Sequence, residues 1–302
     1  MKTAAIIHYL LAIALAPLLP GLINRVKAFF AGRYGPPIAQ AYYDLWKLFQ
    51  KRPVYSRTTT WVFRAGPLVN VACLLIVLAL LPLGRIPALL SFEGDLILVA
   101  YLLGLGRFAT IMAALDTGSS FEGMGASRES QFAVFAEPAL LIGLAALART
   151  TQSLSLSPIY AGLAATPTGT LTLRILLGAG FFILFLAENC RIPVDDPQTH
   201  LELTMIHEVM VLDHGAVDYG FVQWGSCLKL WALGTLWAGL WLPTQAQSVG
   251  MNWVVGLGAM LGLVVVTGIV ESATARLRLL RVPQLLVGAG VLCALGLMLT
   301  FW

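Results

Sequence analysis

Four of the chain's fifteen acidic side chains, Glu188, Asp195, Asp196 and Glu202, fall within one stretch: Phe185-Leu-Ala-Glu-Asn-Cys-Arg-Ile-Pro-Val-Asp-Asp-Pro-Gln-Thr-His-Leu-Glu-Leu203. The stretch begins at the end of an apolar run. Carboxylates gathered where such a run meets a loop are costly unless paired or hydrated, so they mark a functional site by default. Glu137 lies deeper, about two turns inside another apolar run. An ionised carboxylate there must be protonated, paired or hydrated, which favours proton handling over an inert hydrogen bond. Lys229 is its cationic counterpart, and a buried lysine shifts its pKa readily. Arg107, also inside an apolar run, is expected either to snorkel toward the nearer face or to pair.

Further polar stretches accompany this one. Leu115-Asp-Thr-Gly-Ser-Ser-Phe-Glu-Gly-Met-Gly-Ala-Ser-Arg-Glu129 sets Asp116, Glu122, Arg128 and Glu129 beside three glycines, which permit tight turns. It lacks the Gly-Lys-Ser/Thr of a phosphate-binding loop. Arg128 is open to two readings, a structural ion pair or a part in a proton path. Arg33-Tyr-Gly-Pro-Pro37 forces a turn. A helix over 40–49 then sets Tyr42, Leu45, Trp46 and Phe49 on one face, with Asp44 and Lys47 on the other. This reads as an amphipathic helix at the bilayer surface, or as the wall of a lipid-facing cavity that also binds a partner. His200, His207 and His214 recur every seven residues, a spacing that on one long helix keeps them near one face. No spacing of metal-ligand type accompanies them, and a loop or helix facing a partner is the reading they favour. Glu271, beside Arg276, Arg278 and Arg281, would extend the carboxylate chain or pair with Arg276.

The elements that position these residues are membrane spans. The chain is 58% hydrophobic and 11% charged, with mean hydropathy +0.82, far below the charge content of soluble domains. Apolar windows predict eight helices, near 4–24, 65–84, 94–115, 132–149, 171–188, 223–242, 251–270 and 283–301, in an all-α integral membrane protein forming one polytopic domain. Lys2 and the following apolar run resemble a signal peptide, but Pro17 disfavours cleavage, so a retained first helix bent at Pro17 and Pro20 is expected. Glycines of the later spans, Gly178, Gly180, Gly256, Gly258 and Gly262, suit close helix packing. Inner loops at about 25–64, 116–131, 189–222 and 271–282 carry thirteen Lys and Arg, against four on the other side. The positive-inside bias predicts cytoplasmic loops and both termini outside. Long polar loops on one face suggest a docked cytoplasmic partner, and no feature points to nucleic acid. The isolated cysteines Cys73, Cys190, Cys227 and Cys293 offer no cluster or zinc spacing.

Taken together, Glu188-Asn-x-Arg-x-Pro-x-Asp-x-Pro197 followed by Glu202-Leu203 resembles the loop after the fifth helix of the complex I subunit 1 family. That family comprises the NuoH-type proteins and the membrane anchors of group 4 NiFe hydrogenases. Leu115-Asp-Thr-Gly-Ser, Gly125-Ala-Ser-Arg-Glu129, Glu137-Pro138 and Ala275-Arg-Leu-Arg278 resemble the hydrogenase branch, of the HyfC and HycD type. Gly35-Pro36 with Asp44-x-x-Lys47-Leu48 fits both branches.

The resemblance implies a subunit without redox centres of its own in a prokaryotic inner membrane. It would anchor a NiFe-hydrogenase-like large subunit and a cluster-bearing small subunit, and would contact antiporter-like membrane subunits. The NiFe centre and iron–sulfur clusters would sit in the partners. Glu129, Glu137, Glu188, Asp195 and Glu202 would open an ion path, with Lys229 and Glu271 beside it and Arg128 and Arg191 as charge partners. Arg33, Gly35, Pro36, Asp44, Lys47, Asp116, Asp196 and His200 would line the docking surface or cavity wall. The alternative is the quinone-chamber subunit of a respiratory complex I. A stand-alone ion transporter is a third reading, but no repeated halves are evident. The chain departs from the family pattern where Gln198 and His200 replace two of three alternating acidic residues, and where Val211-Leu-Asp-His-Gly215 replaces the usual Glu-Tyr-Ser-Gly.

Overall fold

The computed structural model describes residues 2–84, 86–165, 170–195, 205–242 and 249–301, and in them the architecture is helical. The first helix, α1 (Lys2–Leu15), breaks where Pro17 lacks the N–H that would continue its ladder, and α2 (Leu18–Phe30) leaves at 52°. The bend is the expected one. Helix α3 (Gln40–Phe49) is the amphipathic segment, and it buries Leu45 while Trp46 and Phe49 stay exposed. The longer helices follow as α4 (Trp61–Leu80), α5 (Asp95–Asp116) and α6 (Ser120–Thr151). A short α7 (Leu156–Ala165), absent from the hydropathy reading, precedes α8 (Leu171–Glu188). The one-turn α9 (His207–Met210) leads to α10 (Ala216–Gly239), α11 (Val249–Ala273) and, after a 3-10 turn, α12 (Val282–Leu299).

Among the described residues six helices are long and apolar enough to cross a membrane, and the bent α1–α2 pair makes a seventh. The eighth expected segment, α10, is long enough but carries Asp218, Gln223, Ser226 and Lys229. It tolerates them because it is the inner helix: fifteen of its 24 residues are buried, packed on α4, α3, α11 and α8. A helix that faces protein on most sides need not be apolar toward lipid. Around it α4 pairs with α5, and α12 fills the space between α6 and α8. Gly66 allows the α4–α5 contact, since a Cβ there would stand 2.6 Å from the Ala113 Cβ. Of the five glycines expected to allow close helix packing, Gly180 does so against α12, while Gly178 and Gly256 admit side chains from connecting segments, Trp241 and Leu83. Gly258 and Gly262 face open space.

Two expectations are corrected. The 116–131 stretch is not a loop: the chain turns only at residues 117–119, with Gly118 at φ +70°, and Glu122, Arg128 and Glu129 are already helical in α6. Asp116, the last residue of α5, caps the start of α4 across the gap. Of the three histidines, His207 lies in α9 and His214 in the turn before α10, and His200 lies outside the described residues. Glu271 pairs with Lys27 and Arg191 rather than with Arg276, which reaches Asp195 instead.

Candidate functional site

The α5 helix carries a single cation, Arg107, well inside its apolar length, and that side chain is only 7% exposed. A guanidinium held away from water gathers anions, and three carboxylates from two neighbouring helices supply them. Its Nη1 lies 2.7 Å from Glu137 Oε1, and its Nη2 donates to Glu188 Oε1. Its Nε stands 3.2 Å from Glu129 Oε1 without hydrogen-bond geometry. Glu129 and Glu137 are eight residues apart on α6, hence on nearly the same face but about 12 Å apart along the axis. One long side chain reaching between them from α5 can touch both. Glu188 ends α8 and also meets Lys229 of α10, at 2.8 Å from Nζ to Oε2.

A second set of contacts ties the following turn to the bundle. After Glu188 the backbone reverses through Cys190 at φ +50°, and the Arg191 N–H returns to the Leu186 carbonyl at 2.8 Å, in the manner of a left-handed helix cap. Burial, reinforced by the Glu129 and Asp195 carboxylates, holds the Cys190 thiol well above the usual thiol pKa, so it stays protonated. Asp195 takes Arg276 Nη2 at 2.7 Å and the Ile206 N–H at 3.1 Å. Glu271, with a fully buried side chain, has Lys27 Nζ at 2.9 Å and Arg191 Nη1 at 3.5 Å, as ion pairs without hydrogen-bond geometry.

These groups border two spaces. One is a chamber of about 120 Å³ lined by Asn70, Thr110, Glu129, Glu188, Asp195, Lys229 and the α9 residues His207 and Glu208. The other is a cleft of about 530 Å³ between α5 and α6, lined by Tyr101, Gly104, Phe108 and Leu141 and bearing Glu137, whose side chain is 47% exposed. Arg107 and Glu188 line both.

The structure therefore brings together Glu129, Glu137, Glu188 and Lys229 in one network and Asp195, Arg191 and Glu271 in contacts next to it. Asp196, His200 and Glu202 lie outside the described residues. Arg128 donates to the Met205 carbonyl at 2.6 Å, which fastens α6 to the segment before α9. Asp116 receives the Thr60 N–H at 2.6 Å, the Thr60 hydroxyl at 2.8 Å and the Phe63 N–H at 3.3 Å, so it caps α4. Asp44 accepts from Gln40 Nε2 within α3, and Lys47, Arg33 and Pro36 are exposed or nearly so. Gly35 turns tightly back onto α2, where a Cβ would lie 2.8 Å from the Ala28 Cβ. The residue that sequence reasoning left outside the site is its centre. The available signal was the isolation of Arg107 in an apolar run, which obliges an anionic partner.

Comparison with known proteins places the chain in a family. The family model described as NADH dehydrogenase matches residues 2–302. Formate hydrogenlyase subunit 4 of Escherichia coli (strain K12) is 31% identical over 287 residues, covering 93% of this chain and 92% of that protein. Hydrogenase-4 component C of the same organism is 32% identical over 282 residues, covering 91% and 88%. A subunit of the NADH-quinone oxidoreductase of Wolbachia pipientis wMel is 24% identical over 257 residues, covering 77% and 75%. A chain in the structure of the membrane-bound sulfane sulfur reductase, an archaeal respiratory membrane complex, shares the fold with a TM-score of 0.85. That chain is 22% identical, with 99% of this chain and 98% of that one covered. The motif-level resemblance to the hydrogenase branch and the helical architecture thus meet in one conclusion: the chain is a multi-pass membrane protein and belongs to the NADH dehydrogenase family.

Proposed function

We propose that this chain is the membrane-anchor subunit of a complex-I-like energy-converting complex of the group 4 NiFe hydrogenase type. It docks a peripheral redox arm and couples electron transfer there to ion movement through its buried carboxylates. The observation that carries the reading is the Glu137–Arg107–Glu188–Lys229 network, which stands between a polar chamber at the loop-bearing end and a cleft between two apolar helices. The two relatives above 30% identity, named as a formate hydrogenlyase subunit and a hydrogenase component, support the choice of branch. The positive-inside bias supports cytoplasmic loops and both termini outside, and the Escherichia coli relatives support a prokaryotic inner membrane. A large subunit with the NiFe centre and a cluster-bearing small subunit would cover the loop-bearing end. Antiporter-like subunits would meet the helices, and this chain would hold no redox centre.

Coupling follows from electrostatics. A charge change in the docked arm shifts the relative cost of protonating Glu188 and Glu129, and ion pairs exchange partners as a result. Two states that differ in affinity for the ion are what such coupling requires. Glu137→Gln in the assembled complex is the test. Dye-linked redox activity of the arm should stay at the parent level while ion uptake per turnover by inverted vesicles falls roughly tenfold, within the usual range of coupling between sites. Unchanged uptake would remove Glu137 from the path.

A second reading, the quinone-chamber subunit of a respiratory complex, is favoured by the chamber's position and by the relatives named as NADH-quinone oxidoreductase subunits. Affinity purification with metal and quinone analysis separates the two. Nickel with iron selects the hydrogenase anchor, and iron with bound quinone but no nickel selects the other.

A further inference from the structure

We infer that the free face of α2 and the turn after it form a seat for the headgroup of an anionic phospholipid, with Arg25 and Arg33 as its phosphate ligands. The inference goes beyond the coupling role proposed above and does not depend on it. The first observation is charge. Residues 1–92 hold ten Lys and Arg and a single acid, Asp44, whereas the rest of the chain has more acids than bases. Asp44 accepts from Gln40 in its own helix. Two other cations of this part are already engaged: Lys27 meets Glu271, and Arg64 lies over the Tyr55 ring, 3.9 Å from its centroid. Arg25 and Arg33 are exposed and have no ion pair among the described residues.

The second observation is that the fold brings these two residues together. Arg25 and Phe29 are one turn apart on α2, and both are exposed. After the helix the chain doubles back. The Arg33 N–H returns to the Ala28 carbonyl at 2.9 Å, and a Cβ on Gly35 would stand 3.8 Å from the Arg25 Cα. The backbone of Arg33 and Tyr34 therefore lies beside the last turns of α2, close to Arg25. Phe29, 81% exposed, Phe30 and a fully exposed Tyr34 accompany the two arginines. Helix α2 packs on α11, α3 and α10 and leaves this face free.

The third observation is depth. Lys27, next but one to Arg25, meets Glu271 in the last turn of α11, where that apolar span ends. The patch from Arg25 to Tyr34 thus stands where a span leaves the hydrocarbon, which is the level of lipid headgroups. Aromatic rings are enriched at that level, and arginine stems lie along apolar surface while their heads stay in the polar layer. A guanidinium there can take two oxygens of one phosphate. A lipid with net negative charge is favoured over a zwitterionic one, whose own ammonium already accompanies its phosphate. A soluble acidic partner would match the charge but leave Phe29 and Phe30 without hydrocarbon.

The test uses the full-length chain in mild detergent, stripped of lipid and titrated with phosphatidylglycerol, phosphatidylcholine or glycerol 3-phosphate. Bound molecules are counted by native mass spectrometry. Phosphatidylglycerol is expected to fill a site that phosphatidylcholine fills more weakly and glycerol 3-phosphate does not fill. Arg25→Gln and Arg33→Gln should each weaken that site about fivefold, and together about twenty-five-fold, the effect of one and two cations at an anionic lipid surface. Lys51→Gln with Arg57→Gln, exposed cations between α3 and α4, should leave it unchanged. An equal loss in that control would mean a diffuse field instead of a seat and would overturn the inference. Equal binding of phosphatidylcholine or of glycerol 3-phosphate would overturn it as well. So would loss of the bound lipid from the purified whole complex, since a protein partner would then cover the arginines. Arg33 lies beyond the end of α2, so Arg33→Gln carries the comparison if Arg25→Gln does not fold.

Discussion

The molecule buries carboxylates at both ends, and it satisfies them in opposite ways. At the far end Asp95 is fully buried at the start of α5, where its oxygens take the Ser155 hydroxyl at 2.6 Å and the Leu156 N–H at 2.7 Å. Its partners are a hydroxyl and backbone amides fixed by the α7 turn. At the loop-bearing end Glu129, Glu188 and the half-exposed Glu137 meet arginine and lysine side chains beside open space, and the fully buried Glu271 meets Lys27 and Arg191. Backbone donors hold one geometry and add no net charge. Long cationic side chains can trade partners, and every exchange changes the potential at a carboxylate and with it the cost of adding a proton there. The same kind of group thus serves as a rivet in one place and as a relay in the other.

The sharpest way to break this contrast is to remove the rivet. Asp95→Ala leaves the Leu156 N–H and the Ser155 hydroxyl buried without their acceptor, and hydrogen bonds to a charged group are worth about 1.5–3 kcal/mol each. The variant is expected to lose roughly 2–4 kcal/mol of stability, read as earlier thermal aggregation in detergent. Complex that does assemble should keep its ion-to-electron yield. An altered yield at parent stability would mean that Asp95 belongs to the relay class after all. Glu137→Gln should do the reverse, changing yield with little change in melting.

Asp116 tests the boundary between the two classes, since it lies at the loop-bearing end but accepts mostly backbone donors. As a cap it should behave like Asp95 on a smaller scale. Asp116→Ala should cost about 0.5–2 kcal/mol, the usual worth of a helix cap, with redox activity and ion yield retained. A selective loss of the docked arm at parent stability would return Asp116 to the docking surface, where its sequence context puts it.

How far the sequence carries depends on what each signal reports. Apolar windows report exposure to lipid, so they recover α8 at its observed ends and find the bend at Pro17, yet they misjudge α6. Its first three turns carry Glu122, Arg128 and Glu129 and three polar serines, which look like a loop because the helix there faces protein and polar space rather than lipid. The carboxylates of the site were legible because each is anomalous in an apolar setting. Their partners were not, because pairing is a property of tertiary contact: nothing local says that Lys27 rather than Arg276 meets Glu271 across the bundle. The heptad of histidines is weak evidence of a shared face for the same reason. A period of seven implies a common face only if one helix spans it, and here a turn intervenes before α10.

That turn supplies the smallest expected effect. His214 is buried and stacked on Phe63, with ring centroids 3.9 Å apart, and burial brings its pKa down from 6.5 to about 4. The sign follows from linkage. A histidine whose folded pKa is depressed binds fewer protons when folded than when unfolded between those two values. Its contribution to stability is therefore complete above pH 6.5 and is lost as the pH falls toward 4. Between pH 7.5 and 6 the loss should stay under about 1 kcal/mol, and it should steepen below that. His214→Phe keeps an aromatic ring against Phe63 and removes the titration. Its melting temperature should accordingly vary less with pH between about 6.5 and 5 than that of the parent, while the two agree near pH 8. If the parent's pH dependence survives in His214→Phe, the acid sensitivity comes from the carboxylates around Arg107 instead, and the relay rather than the packed turn would set the acid limit of the fold.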